Sequence, residues 1–192
     1  ALAQQYFDHS LPEPNLPALE WLGILVAALH ESNASAAATL ERRAAALIRE
    51  IELDAAYRGS LFSFTRSILQ SLQQQRIKIA IITRNCEEAV RIVFPDLDRY
   101  CAGFLARDHV LRVKPDPNHL FHALEKIAAS PKTALMVGDH PLDIQTGQRA
   151  GTMTAGVWSG TATQEELVRS GADLTACNCK ELLRALQERN LI

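Results

Sequence analysis

The chain has 192 residues, 47% of them hydrophobic, and 20 Lys and Arg against 22 Asp and Glu leave a formal net charge of −2. That length suits one well-buried core with a small appended subdomain, and the even charge balance, with no basic cluster along any segment, excludes nucleic acid and a charged membrane surface as partners. The most apolar window, Trp21 to Leu29, falls far short of the roughly 20 residues that a spanning helix needs. Cys86, Cys101, Cys177 and Cys179 are too few and too scattered for a disulfide framework, and no signal peptide precedes them. The expectation is a soluble protein of a reducing cytoplasm. Cys177-Asn178-Cys179 has no second Cys or His pair at ligand spacing and reads as a plain loop.

In chain order, Ala1 to Ser10 has no clear period and reads as an irregular lead-in. Leu11 to Pro17 is a proline-rich connector, with Pro17 placed to start a helix from Ala18 to about His30. Ser32 or Asn33 then caps a second helix, Ala34 to about Tyr57, in which Leu40, Leu47, Ile48, Ile51 and Ala55 recur at helical spacing. Residues 11–57 are therefore expected to form a small helical cap, and 58–192 an α/β core. After Gly59-Ser60 come a helix, Leu61 to Gln75, and a β-branched strand, Arg76 to Ile82, ending in Thr83-Arg84-Asn85. A helix from Glu87 to Phe94 and a short strand at Phe104-Leu105 follow. Val113-Lys114-Pro115-Asp116-Pro117 opens a helix from Asn118 to Ala129. The rest alternates: strand Ala134 to Val137, a helix ending near Ala150, strand Met153 to Val157, helix Gln164 to Ser170, a short strand near Asp173-Leu174, and a last helix from Lys180 to Gln187. Alternation of this kind implies parallel strands with right-handed crossovers, a Rossmann-like doubly wound sheet.

Three strand-end loops then offer a hydroxyl (Thr83), an ammonium (Lys114) and two carboxylates (Asp139 and Asp143) on the side of the sheet where strands finish, which is where open α/β sheets bind ligands. Two close carboxylates repel unless a cation sits between them, and a hard divalent ion such as Mg²⁺ takes oxygen ligands. The simpler alternative is an Asp that caps the helix after the strand, which needs one of the pair. Taken together the groups describe a phosphoryl site: Thr83, Arg84 and Asn85 bind phosphate oxygens, Lys114 neutralises charge on the transferring group, and a carboxylate-held Mg²⁺ shields the anion.

Ile79-Ala-Ile-Ile-Thr83-Arg-Asn85, Val113-Lys114-Pro115-Asp116-Pro117 and Gly138-Asp139-His140-Pro141-Leu142-Asp143 resemble, in order, the second, third and fourth motifs of the haloacid dehalogenase-like hydrolases, in the branch similar to phosphoglycolate phosphatases. The resemblance covers about residues 11 to 187. It implies an α/β core with a helical cap and a Mg²⁺-dependent phosphatase acting on a small phosphorylated metabolite. Thr83 and Lys114 would hold the phosphoryl group, Asp139 would bind the metal, and Asp143 would support it. The family's first motif, a strand ending in Asp-x-Asp-Gly-Thr that supplies the nucleophile, has no match. The nearest string, Tyr6-Phe7-Asp8-His9-Ser10-Leu11, has one Asp and no apolar strand before it. That strand lies mid-sheet in the family, so a leading segment of roughly 15 to 25 residues is expected to fill its place. A non-catalytic binding module and a phosphomutase remain alternatives, as do monomer and homodimer. Glu13, Asn15 and Trp21 in the cap and His140 beside Asp139 are further candidates for substrate contact.

Overall fold

The computed structural model describes residues 2–7 and 16–192, so Asp8, Glu13 and Asn15 lie outside the described residues. The chain divides into two compact units, Ala1–Ala55 and Ala56–Ile192.

The first unit is built on helices α1 (Ala18–Ser32) and α2 (Ala34–Arg58), the second running on past the unit's boundary. Of the two candidate caps, Asn33 caps α2: its Oδ1 accepts from the Ala36 N–H at 3.0 Å, while the Ser32 hydroxyl donates back to the Leu29 carbonyl. Leu25, Leu29, Ala37 and Leu40 form the buried seam. The lead-in is not irregular, as its lack of period suggests. Ala3–Gln5 form a 3-10 turn, and Leu2, Ala3, Tyr6 and Phe7 pack on the α1–α2 seam. The reason is apolar bulk rather than periodicity: two aromatics and a leucine within six residues need no repeat to find a hydrophobic surface. Leu40 is 1% exposed, so Leu40→Ala is expected to destabilise the protein by about 2–5 kcal/mol through the cavity it leaves, read as a lower urea midpoint by circular dichroism.

The second unit is a parallel α/β layer. It contains α3 (Thr65–Gln74), β1 (Ala80–Ile82), α4 (Glu87–Val93), β2 (Gly103–Leu105), α5 (Pro117–Lys126), β3 (Leu135–Gly138), α6 (Pro141–Ala150), β4 (Met153–Val157), α7 (Gln164–Arg169), β5 (Leu174–Ala176) and α8 (Cys179–Glu188). Each strand pairs parallel with its neighbour, as strand–helix alternation requires. The expected strand from Arg76 shortens to Ala80–Ile82. Arg76 adopts φ 60°, the left-handed region, where the chain turns out of α3, and the Lys78 ammonium is drawn to the carbonyls of Ile127 and Ala128.

The sheet comes in two pieces, β1–β2 and β3–β4–β5. Helix α5 packs against β1 and β2 and against α6, which in turn lies on β3 and β4. Ile82 of β1 and Met136 of β3 meet in one apolar cluster under Leu120 and Leu124 of α5. Among the described residues no strand pairs with the open edge of β1 or of β3. Val137, in the middle of β3, is 38% exposed although its neighbour Met136 is buried, as fits a strand whose one edge is open among the described residues.

Candidate active site

Strand β3 ends at Gly138, and the next residues turn sharply into α6. His140 is the N-cap, its Nδ1 accepting from the Leu142 N–H at 3.1 Å, Pro141 fills the first helical position, and Asp143 Oδ2 accepts from the His140 N–H at 3.1 Å. This reciprocal pair is a capping box, so the carboxylate satisfies backbone donors at the positive end of the helix. Gly138 makes it possible. A side chain there would overlap Asp143 Cβ, so Asp143 lies directly on the glycine backbone.

The other oxygen of Asp143 holds Lys114. Lys114 Nζ donates to Asp143 Oδ1 at 2.6 Å, and the side chains are 12% and 7% exposed. The two residues come from different loops, so the pair pins the segment before α5 to the start of α6. The Lys114 backbone is fixed as well. Its carbonyl accepts from Arg84 Nη1 at 2.7 Å and its N–H donates to His119 Nδ1 at 3.3 Å, while Arg149 Nη1 donates to the next carbonyl, Pro115.

Thr83 sits just beyond β1. Its N–H donates to the Leu105 carbonyl, extending the β1–β2 ladder, and its Oγ1 accepts from the Asn85 N–H at 3.2 Å. The hydroxyl therefore faces the turn with its own proton still to donate. Arg84 is turned to the Lys114 carbonyl, and Asn85 is exposed, its carbonyl accepting from the Arg107 N–H.

Asp139 differs from Asp143. It is half-buried at the strand end, and among the described residues no hydrogen bond or ion pair reaches its carboxylate. Gly160, in the loop after β4, passes so close that a Cβ there would overlap Asp139 Oδ2. Nearby, burial pushes the Cys179 thiol above its ordinary pKa, and the Asp139 charge adds to the effect.

His119, Arg149 and Gly160 escape a sequence reading. His119 lies in a helical stretch whose neighbours Leu120, Ala123 and Leu124 are buried, and nothing in its spacing marks it. In the structure it is 0% exposed. Burial, more than the nearby Lys114, His122 and His109 charges, lowers its pKa, while the hydrogen bond to Leu105 works the other way. The folded state thus keeps His119 neutral while the unfolded chain takes a proton near pH ~6.5. Its contribution to stability is complete above that value and declines as pH falls through it. Urea titrations from about pH 7.5 to about pH 5 should show this loss, and His119→Asn should remove that part of the slope.

A parallel α/β core with a hydroxyl, an anchored ammonium and an unpaired carboxylate at its strand ends has the architecture of the open α/β proteins that bind ligands at the carboxyl edge of the sheet. Residues 28–157 match the model of the haloacid dehalogenase-like hydrolase family, and the chain belongs to that family. Pyrophosphatase PpaX of Bacillus cereus (strain ATCC 10987 / NRS 248) is 41% identical over 91 residues, 46% of this chain and 42% of that protein. The match thus spans less than half the length of that curated relative. Among solved structures, a hydrolase from Pseudomonas syringae superposes with a TM-score of 0.68 at 22% identity, over 91% of this chain and 85% of that one. An HAD phosphatase from Thermococcus onnurineus gives 0.57 at 22% identity, over 66% and 58%. At these identities both show the shared fold.

Proposed function

We propose that this hydrolase is a cytoplasmic, Mg²⁺-dependent phosphatase that releases phosphate from a small phosphomonoester, with residues 11–57 as the cap that selects it. The buried Lys114–Asp143 pair carries the reading. One of the three ammonium donors is spent on Asp143, which fixes its direction and leaves two for phosphate oxygens. The Thr83 hydroxyl donates a further hydrogen bond from the neighbouring loop. Arg84 steadies the Lys114 carbonyl, and Asn85 borders the phosphate at the exposed rim.

Asp139 suits a hard divalent cation: it is a half-buried carboxylate oxygen donor with no partner among the described residues. Asp143 stands behind it. When bound, Mg²⁺ offsets the repulsion between an anionic substrate and the carboxylates of the site.

The open edges of β1 and β3 support a further strand, supplied from outside the described residues, whose carboxyl end reaches the same lip. An Asp at its end attacks phosphorus as the ester P–O bond breaks, the leaving alkoxide takes a proton from water to become the alcohol, and a second water then cleaves the aspartyl-phosphate to free phosphate. Lys114 and Thr83 hold the oxygens through both steps. The test is hydrolysis of an aryl phosphate by the full-length gene product, titrated with Mg²⁺. Asp139→Asn is expected to lower the rate at least about 100-fold and to raise the Mg²⁺ concentration needed. An unchanged rate and an unchanged Mg²⁺ response would contradict Asp139 as the metal anchor.

A further inference from the structure

His119 carries more polar responsibility than a helical core position needs. It is fully buried on the face of α5 that also buries Leu120, Ala123 and Leu124, where an aliphatic residue would fill the space without desolvating two ring nitrogens. Both nitrogens are used. Nε2 lies 3.1 Å from the Leu105 carbonyl, which only accepts, and Nδ1 lies 3.3 Å from the Lys114 N–H, which only donates. The partners fix the ring as the neutral tautomer with its proton on Nε2. The Leu105 carbonyl, with two lone pairs, also accepts from the Thr83 N–H at 3.1 Å. A continuous chain of hydrogen bonds therefore runs from the Lys114 backbone through the imidazole and the Leu105 carbonyl to the Thr83 backbone.

We infer that His119 is a positioning residue that couples the Lys114 and Thr83 loops, setting the distance between the ammonium and the hydroxyl that grip the phosphoryl group. The inference rests on the phosphatase reading for its catalytic meaning, but the bridge itself is independent of activity. An apolar residue at 119 leaves the Lys114 N–H without its acceptor and the Leu105 carbonyl with one donor fewer. Asn keeps an acceptor close to the Nδ1 position and should restore the contact to Lys114.

The experiment is amide hydrogen exchange by NMR on the isotopically labelled full chain, with His119→Leu and His119→Asn alongside. His119→Leu is expected to speed exchange of the Lys114 amide about tenfold and to shift the Thr83 resonance, with Thr154 on β4 unmoved, and His119→Asn is expected to recover most of the protection. Equal protection of Lys114 in the wild type and in His119→Leu overturns the inference. Should the leucine variant fail to fold, the imidazole nitrogen signals of the wild type decide, and a proton on Nδ1 at neutral pH overturns it equally. Aryl phosphate turnover forms a separate arm, in which His119→Leu should lower kcat about tenfold and His119→Asn restore it. Intact coupling in a full-length protein without turnover would sink the phosphatase reading and leave the bridge standing.

Discussion

Lys114→Ala is expected to lower aryl phosphate turnover by about 10³-fold and to destabilise the protein by about 3–5 kcal/mol, and the two losses have different origins. Turnover falls because an ammonium anchored at the strand-end lip is lost. Stability falls because Asp143, with a side chain 7% exposed, keeps the partner of its Oδ2 but loses that of its Oδ1. A carboxylate buried that deeply without its cation pays the desolvation penalty uncompensated. The double variant Lys114→Met with Asp143→Leu separates the effects. It should recover much of the stability, since no charge is left stranded, and none of the activity. Urea unfolding and steady-state kinetics on the same samples make the comparison. If Lys114→Ala proved as stable as the wild type, the pair would be solvated in solution and the site more open than the structure shows.

Gly138→Ala should be nearly as damaging although it removes no functional group. The added methyl overlaps Asp143 Cβ, which cannot retreat without surrendering both Lys114 and the capping box on His140. The expected cost is about 3 kcal/mol or more, with turnover lowered at least about 100-fold as Lys114 loses its anchor. Gly160→Ala offers the contrast. There the added methyl overlaps the Asp139 carboxylate and its Cβ as well, so the carboxylate is displaced, but Gly160 is exposed in a loop and no ion pair or helix cap depends on Asp139 among the described residues. Its expected effect is chiefly on the Mg²⁺ titration of the rate, with a smaller loss in the urea midpoint than Gly138→Ala. Equal stability losses in the two glycine variants would contradict this division of labour between Asp143 and Asp139.

Much of the architecture was legible because it depends on local pattern. The alternation of apolar runs with amphipathic stretches from Leu135 onward gave β3, α6, β4, α7, β5 and α8 in order, with ends displaced by up to three residues. Features set by long-range geometry were not. The run from Arg76 to Ile79 alternates Arg and Lys with β-branched Ile and so reads as strand, yet β1 begins only at Ala80. The paired part of β2 is only Gly103–Leu105, and strand length is decided by the partner as much as by propensity. Tyr6 and Phe7 carried no period and still joined a core.

The carboxylates illustrate the same limit. A spacing of four suggests two groups on one helical face, but Asp139 precedes the N-cap His140 and is not in α6 at all. Only the folded chain shows Asp143 turned back over Gly138 to hold Lys114 while Asp139 stands apart without a partner among the described residues. His119 was hidden for a further reason. Its role comes from which backbone groups face it, and no side-chain pattern records that.

The most direct test is hydrolysis of an aryl phosphate, with and without Mg²⁺, by this chain of 192 residues and by the longest product its gene encodes. Mg²⁺-dependent turnover by the longer product, lost on Lys114→Ala and absent from the 192-residue chain, is the result predicted for a site whose nucleophile arrives on a strand between β1 and β3. Turnover by both forms that survives Lys114→Ala, or no turnover by either across a panel of small phosphomonoesters, would contradict it.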